Sequence, residues 1–266
     1  MKIAAVFIIG FVGFAVLMYI LQDTLIFFPV RIGGNTLQVI RKAYPTAEEV
    51  VITSADTINL RGWLVKPAGS GKSPLVIYFG GNAEEVSWLI EAAHRFKGWS
   101  LALVNYRGYG LSDGKPGEKE LYSDALSVYD YFVKRDDIDK ERIAVMGRSI
   151  GSGVAVYLAQ YRPLTGVILV CPFDSLVSVG VKHYPFMPVS LLLKHRFDSI
   201  SRASSVKVPM LALIAADDEI VPRESSLRLI EKWGGQHTLK MIEGGHNTLQ
   251  EYNGYWESIQ EFLAGY

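Results

Sequence analysis

The chain has 266 residues, 49% of them apolar and 20% charged, and its 27 basic and 27 acidic side chains leave a formal net charge of zero. This supports one large domain with a full core, and it leaves neither a basic footprint for nucleic acid nor a polybasic patch for an anionic membrane surface. The single cysteine, Cys171, excludes an internal disulfide and a cysteine-based zinc site; it follows a strand-like run and reads as a buried structural thiol.

Residues 3–21, IAAVFIIGFVGFAVLMYIL, run for about 19 positions without a charge, long enough to cross a bilayer core as a helix. A signal peptide calls for a shorter apolar core followed by a small-residue cleavage site. Here Gln22, Asp23 and Thr24 follow instead. A buried globular helix would carry a polar stripe, and none is visible. The expectation is a retained single-pass anchor, with Phe27 and Phe28 at the membrane interface. Lys2 and the amino terminus favour an N-terminus inside, against Arg31, Arg41 and Lys42 on the far side. The chain thus divides into an anchor and juxtamembrane segment, 1–29, and a globular domain, 30–266.

A helix is expected over 36–43. Residues 50–54 and 59–66, separated by Asp56 and Thr57, read as an antiparallel hairpin. The apolar run 75–79 is a strand that ends in Gly80-Gly81-Asn82, and 83–96 has helical spacing with Val86, Leu89, Ile90 and Ala93 on one face. Another strand, 101–105, leads into the loop YRGYGLSDGKPGE, where Arg107 can brace its neighbours. A helix over 121–134 has Leu121, Ala125, Val128 and Phe132 as its apolar stripe. Short apolar strands follow at 143–146, 167–170, 210–215 and 238–242, then a terminal helix at 252–262. Such alternation gives a doubly wound, mostly parallel sheet with helices on both faces. Ligands bind such sheets outside the carboxyl ends of the strands, so the loops after those strands are where chemistry is expected.

One of those loops is distinctive. Strand 143–146 runs into Gly147-Arg148-Ser149-Ile150-Gly151 and then a small-residue helix over 152–161. Strand, G-x-S-x-G, helix is the context of a nucleophile elbow. The turn is so tight that side chains two before and two after the serine would collide, which accounts for both glycines. Ser149 is then held out at the strand end, and the N–H of Ile150 faces the same space as a candidate oxyanion donor.

A serine needs a base to take its proton as it attacks. Histidine suits that role, and a carboxylate must hold the imidazole in the right tautomer. The loop after 238–242 offers His246; the other four histidines do not follow a strand of the sheet. The loop after 210–215 offers Asp217 and Asp218 side by side. Either fits the chain order Ser…Asp…His of a hydrolase elbow.

Taken together, the segments YFGGNAEE, VNYRGYGLSDGKPGE, VMGRSIGSGVAVYLA, DDEIVP and EGGHN resemble those of the α/β-hydrolase superfamily, in particular the single-pass, membrane-anchored alpha/beta hydrolase domain-containing serine hydrolases. The resemblance implies an α/β-hydrolase fold. The insertion at about 174–206, rich in Phe, Met and Leu, reads as a helical piece packed on the sheet edge, as a lid that lines an acyl pocket, or as both. The resemblance also implies that the acid is the aspartate opening D-x-[IV]-V-P, Asp218, and that the main-chain N–H of Asn82 is the second oxyanion donor. Gly80 stands where such proteins usually have a histidine. The implied activity is cleavage of carboxylic esters or thioesters by Ser149, Asp218 and His246, on acyl-chain or lipid substrates, without a metal or organic cofactor. A peptidase or amidase on the same residues is the alternative, as is a silent binding protein tethered to the bilayer.

Overall fold

The computed structural model describes residues 2–69 and 71–266. A long helix α1 (Lys2–Ile26) and a short α2 (Gly34–Ala43) precede the antiparallel pair β1 (Glu48–Thr53) and β2 (Asn59–Val65). Then come β3 (Ser73–Phe79), a 3-10 segment at Val86–Phe96, β4 (Ser100–Val104), α3 (Glu118–Phe132), β5 (Ile138–Arg148) and α4 (Ile150–Tyr161). After β6 (Gly166–Val170) the insertion supplies α5 (Leu176–His183), α6 (Val189–Leu192) and α7 (Ile200–Ala203). The chain closes with β7 (Met210–Asp217), α8 (Arg223–Glu231), β8 (His237–Gly245) and α9 (Asn253–Leu263).

The eight strands form one sheet in the order β1-β2-β4-β3-β5-β6-β7-β8. Strand β2 is antiparallel to both β1 and β4, and all other pairs are parallel. Strands β3, β4 and β6 are buried along their whole length, as expected of strands covered on both faces. Alternate residues serve the two layers. Ile77, Phe79, Val145, Leu169 and Ala212 meet Phe132 of α3 and Val154 of α4. Val76, Tyr78, Ala144, Met146 and Ile168 meet Leu89, Phe96 and, from α9, Tyr255 and Ile259.

Three elements differ from expectation. The 83–96 stretch folds as a 3-10 segment from Val86; Val86, Leu89 and Ala92 are spaced by three, which serves a 3-10 turn as well as an α-helix. Helix α8 was not anticipated, since only Leu227, Leu229 and Ile230 are apolar in it. Helix α1 runs on through Gln22 and Asp23 to Ile26, beyond the end of the apolar run at Leu21.

The YRGYG loop is fixed by a buried cation. Arg107 Nε donates to Asp124 Oδ2 at 2.7 Å, and Nη1 donates to Asp56 Oδ2 at 2.8 Å. The Arg107 and Asp124 side chains are each only 5% exposed. Burial pushes the Asp124 carboxyl above its usual range even though Arg107 pulls it down. Arg107→Ala would leave that carboxylate buried without a partner, and it is expected to cost about 3–5 kcal/mol in urea unfolding. A loss under about 1 kcal/mol, the worth of a surface pair, would show the brace to be dispensable.

Candidate active site

Strand order decides what meets at the carboxyl ends. Because β3 lies beside β5, with Phe79 opposite Gly147, the Gly80-Gly81-Asn82 loop runs alongside the Ser149 turn. Because β7 lies beside β8, with Asp217 opposite Gly245, Asp218 comes against His246.

Ser149 has φ 51° and ψ −119°, a conformation that L-residues avoid and that is held only when the surroundings over-determine it. The glycines enforce it. A Cβ on Gly147 would lie 2.2 Å from the carbonyl oxygen of Gly151, and one on Gly151 would lie 2.2 Å from that of Phe79. The Ser149 N–H donates to Val170 O at 2.8 Å, tying the turn to β6. Ile150 opens α4, so its N–H has no partner within the helix. Among the described residues the Asn82 N–H makes no backbone or side-chain hydrogen bond, so both candidate donors remain available.

Asp218 and His246 form a buried pair, their side chains 2% and 4% exposed. His246 Nδ1 lies 2.9 Å from Asp218 Oδ2 and 3.0 Å from Oδ1. A carboxylate only accepts, so Nδ1 carries the hydrogen and Nε2 keeps its lone pair. Asp218 Oδ1 also accepts from the N–H groups of Val221, at 2.7 Å, and Ile220, at 3.0 Å. Burial raises the Asp218 carboxyl, but these hydrogen bonds and His246 outweigh it and hold the group below the usual carboxylate range. Asp217 is exposed at the end of β7 and makes no side-chain hydrogen bond among the described residues. Ser149 Oγ and His246 Nε2 are not hydrogen-bonded in this state among the described residues.

The buried thiol of Cys171 lies close to this pair. One ligand atom from each of Cys171, Asp218 and His246 falls within 4.8 Å of the others. The donor set does not suit a metal, because Nδ1 is engaged by the carboxylate and burial pushes the thiol well above its ordinary range.

Two charged residues with no role foreseen from the sequence link the loops. Glu84 accepts from the Gly81 N–H at 2.6 Å, Tyr78 Oη at 2.6 Å and Trp88 Nε1 at 2.8 Å. Arg148, inside the elbow, donates to Glu84 Oε2 at 3.0 Å, to His246 O at 3.2 Å and to Asn247 Oδ1 at 2.9 Å. One guanidinium thus joins the oxyanion-side loop, the serine turn and the histidine loop.

The Asn82 side chain points the other way. Its Nδ2 donates to Ile26 O at 2.5 Å, and its Oδ1 accepts from the Phe28 N–H and from Tyr109 Oη, each at 3.0 Å. A cavity of about 480 Å³ opens on Ser149, Ile150 and Asn82 and is walled by the insertion and by α1.

A strained serine at a strand–helix turn and a buried aspartate–histidine pair, both at the carboxyl edge of this sheet, are the arrangement expected of an α/β-hydrolase. The comparisons agree. The family model described as "Serine aminopeptidase, S33" matches residues 72–195. An uncharacterized protein of Mycobacterium tuberculosis is 34% identical over 264 residues, covering 97% of this chain and 93% of its own. An uncharacterized membrane protein of Saccharomyces cerevisiae is 32% identical over 225 residues, 81% of this chain and 79% of its own. The crystal structure of an alpha-beta hydrolase from Vibrio vulnificus has a TM-score of 0.70 at 22% identity, covering 88% of this chain and 87% of that one. The chain belongs to the α/β-hydrolase superfamily.

Proposed function

We propose that the protein is a membrane-anchored serine hydrolase that cleaves carboxylic esters or thioesters through an acyl-enzyme. The observation that carries the reading is the buried Asp218–His246 pair, whose free Nε2 belongs to the same strand edge as the strained Ser149. Ser149 Oγ attacks the acyl carbon while its proton passes to His246 Nε2; this contact tightens as substrate binds. The N–H groups of Asn82 and Ile150 hold the oxyanion. The C–O or C–S bond then breaks, and His246 returns the proton to the departing alkoxide or thiolate. Water, deprotonated by His246, attacks the acyl-enzyme and regenerates Ser149 with release of the acid.

The anchor reading rests on α1, whose exposed side chains include Val6, Phe7, Ile9, Phe11, Phe14 and Leu17. Helix α1 is long and apolar enough to cross a bilayer, and the yeast relative is named a membrane protein. The description of the matched family as an aminopeptidase favours a second reading, amide cleavage by the same residues. A fluorophosphonate probe followed by an ester, thioester and amide panel tests both. Labelling that depends on Ser149, with esters or thioesters turned over fastest, is the expected result. Amides turned over fastest would establish the second reading. Labelling that persists without Ser149, or is absent from the wild type, would leave a binding protein on a hydrolase scaffold.

A further inference from the structure

The last turns of α1 are seated against the domain by specific contacts. Gln22, 6% exposed, donates from Nε2 to Leu192 O at 3.1 Å, and its Oε1 accepts the Lys194 N–H at 2.7 Å. His195 Nδ1 accepts the Glu118 N–H at 3.2 Å, which leaves Nε2–H to donate to Asp23 Oδ1 at 3.0 Å. Phe27, 3% exposed, packs edge-on against His195 and Phe197. The Asn82 side chain then closes on the backbone of Ile26 and Phe28. The end of α1 is therefore fixed relative to Ser149.

What lies between them is the cavity. Met18, Leu25 and Ile26 line it from α1, and Leu176, Met187 and Leu192 from the insertion. Two of its polar side chains are already committed. Gln22 is engaged as above, and His183 Nε2 is bonded to Ile220 O at 2.8 Å. Among the described residues no Lys, Arg, Asp or Glu side chain lines it. Such a space solvates a hydrocarbon chain, and Met adapts its shape to one. A volume of about 480 Å³ lies inside the range of about 300–1,000 Å³ usual for ligand pockets.

Lengths locate the cavity against a bilayer. Helix α1 has 25 residues, about 37 Å at 1.5 Å per residue. The window of α1 that is apolar enough to cross a bilayer, Ile9–Ile26, includes the docked turns from Met18 onward. A spanning α1 therefore draws its docked turns, and the cavity wall they form, down to the level of the acyl chains. On the insertion, Phe186 and Leu191 are 89% and 83% exposed and immediately precede the lining residues Met187 and Leu192. Two large apolar side chains presented beside the lining suit contact with lipid better than with water.

Building on the ester-hydrolase reading, we infer that this cavity is an acyl site walled jointly by the C-terminal turns of α1 and by the α5–α6 insertion. It takes one hydrocarbon chain of a bilayer-resident ester or thioester directly from the membrane that α1 enters, with the carbonyl at Ser149. The anchor is then part of substrate recognition as well as of location.

The test uses the full-length protein in phosphatidylcholine nanodiscs. Leu25→Trp and Leu192→Trp fill the cavity from opposite walls and leave Ser149, Asp218, His246 and the oxyanion donors unsubstituted. Each should lower kcat/KM for p-nitrophenyl dodecanoate relative to that for p-nitrophenyl acetate by about 50-fold, the worth of three methylenes displaced from apolar contact. Equal losses on both esters, or no loss on the dodecanoate, would overturn the inference. A second measurement needs no ester turnover. A diazirine-bearing dodecanoic acid, photolysed with the Ser149→Ala protein, should crosslink to peptides containing Leu25 and Met187, and Leu25→Trp should abolish this. Crosslinks elsewhere would overturn the acyl site even if esters are cleaved. Crosslinks at the expected peptides in a protein that cleaves no ester would uphold the acyl site and remove only the hydrolytic reading.

Discussion

Ser149→Ala is expected to lower ester turnover by about 10⁶, the scale on which removing an activated nucleophile acts, while leaving the fold intact. The hydroxyl makes no hydrogen bond among the described residues, so its loss orphans no partner. Alanine keeps the Cβ and hence the same backbone strain at φ 51°. The melting temperature should accordingly stay within about 2 °C of wild type, a shift that corresponds to no more than about 1 kcal/mol for a domain of this length. Turnover of p-nitrophenyl acetate and loss of fluorophosphonate labelling are the readouts. Activity within about tenfold of wild type, with labelling retained, would exclude Ser149 as nucleophile. Low activity accompanied by a collapse in melting temperature would show instead that the hydroxyl is structural.

What the sequence revealed follows from the range over which each constraint acts. The elbow is local: the carbonyl oxygens of Gly151 and Phe79 forbid side chains at Gly147 and Gly151, and that exclusion is written into five consecutive residues. The sheet was legible because its strands are short apolar runs separated by helices. The pairing of Asp218 with His246 needed one step more, since it depends on β7 and β8 being neighbours, which chain order suggests but does not impose. Asn82 was reached only through the resemblance to known hydrolases.

The Glu84–Arg148 bridge was not legible, because its partners lie 64 positions apart and nothing local marks either as paired. The docking of α1 was hidden for a different reason. A charge-free run specifies length and apolarity, and the polar residues that end it, Gln22 and Asp23, were read as the lack of a cleavage site. In the structure they are the groups that seat the helix on the insertion. That the last turns of α1 also wall a cavity depends on the three-dimensional course of residues 174–206, on which periodicity is silent.

The adjacent aspartates separate the acid role sharply. Asp218→Asn is expected to lower kcat by about 10⁴, the scale of the tautomer effect in serine protease triads, whereas Asp217→Asn should change it less than about threefold, as for an exposed side chain without a partner. An asparagine at 218 can turn its amide N–H toward His246 Nδ1, which then accepts. The ring hydrogen moves to Nε2, and that nitrogen can no longer take the proton of Ser149. Stability provides an independent readout. The Asp218 carboxyl is held below its usual range in the folded protein, so its ionised form contributes stability that is complete above the unfolded carboxylate range. That contribution is lost as pH falls through the lowered folded value. The melting-temperature gap between wild type and Asp218→Asn should therefore be widest at neutral pH and narrow below about pH 4, where unfolded aspartates titrate. A gap that is constant across pH would mean that the loss comes from packing rather than charge. If Asp217→Asn lost the greater share of kcat, the exposed carboxylate would have to be the one that orients His246, and the pairing at 2.9 Å would be structural only.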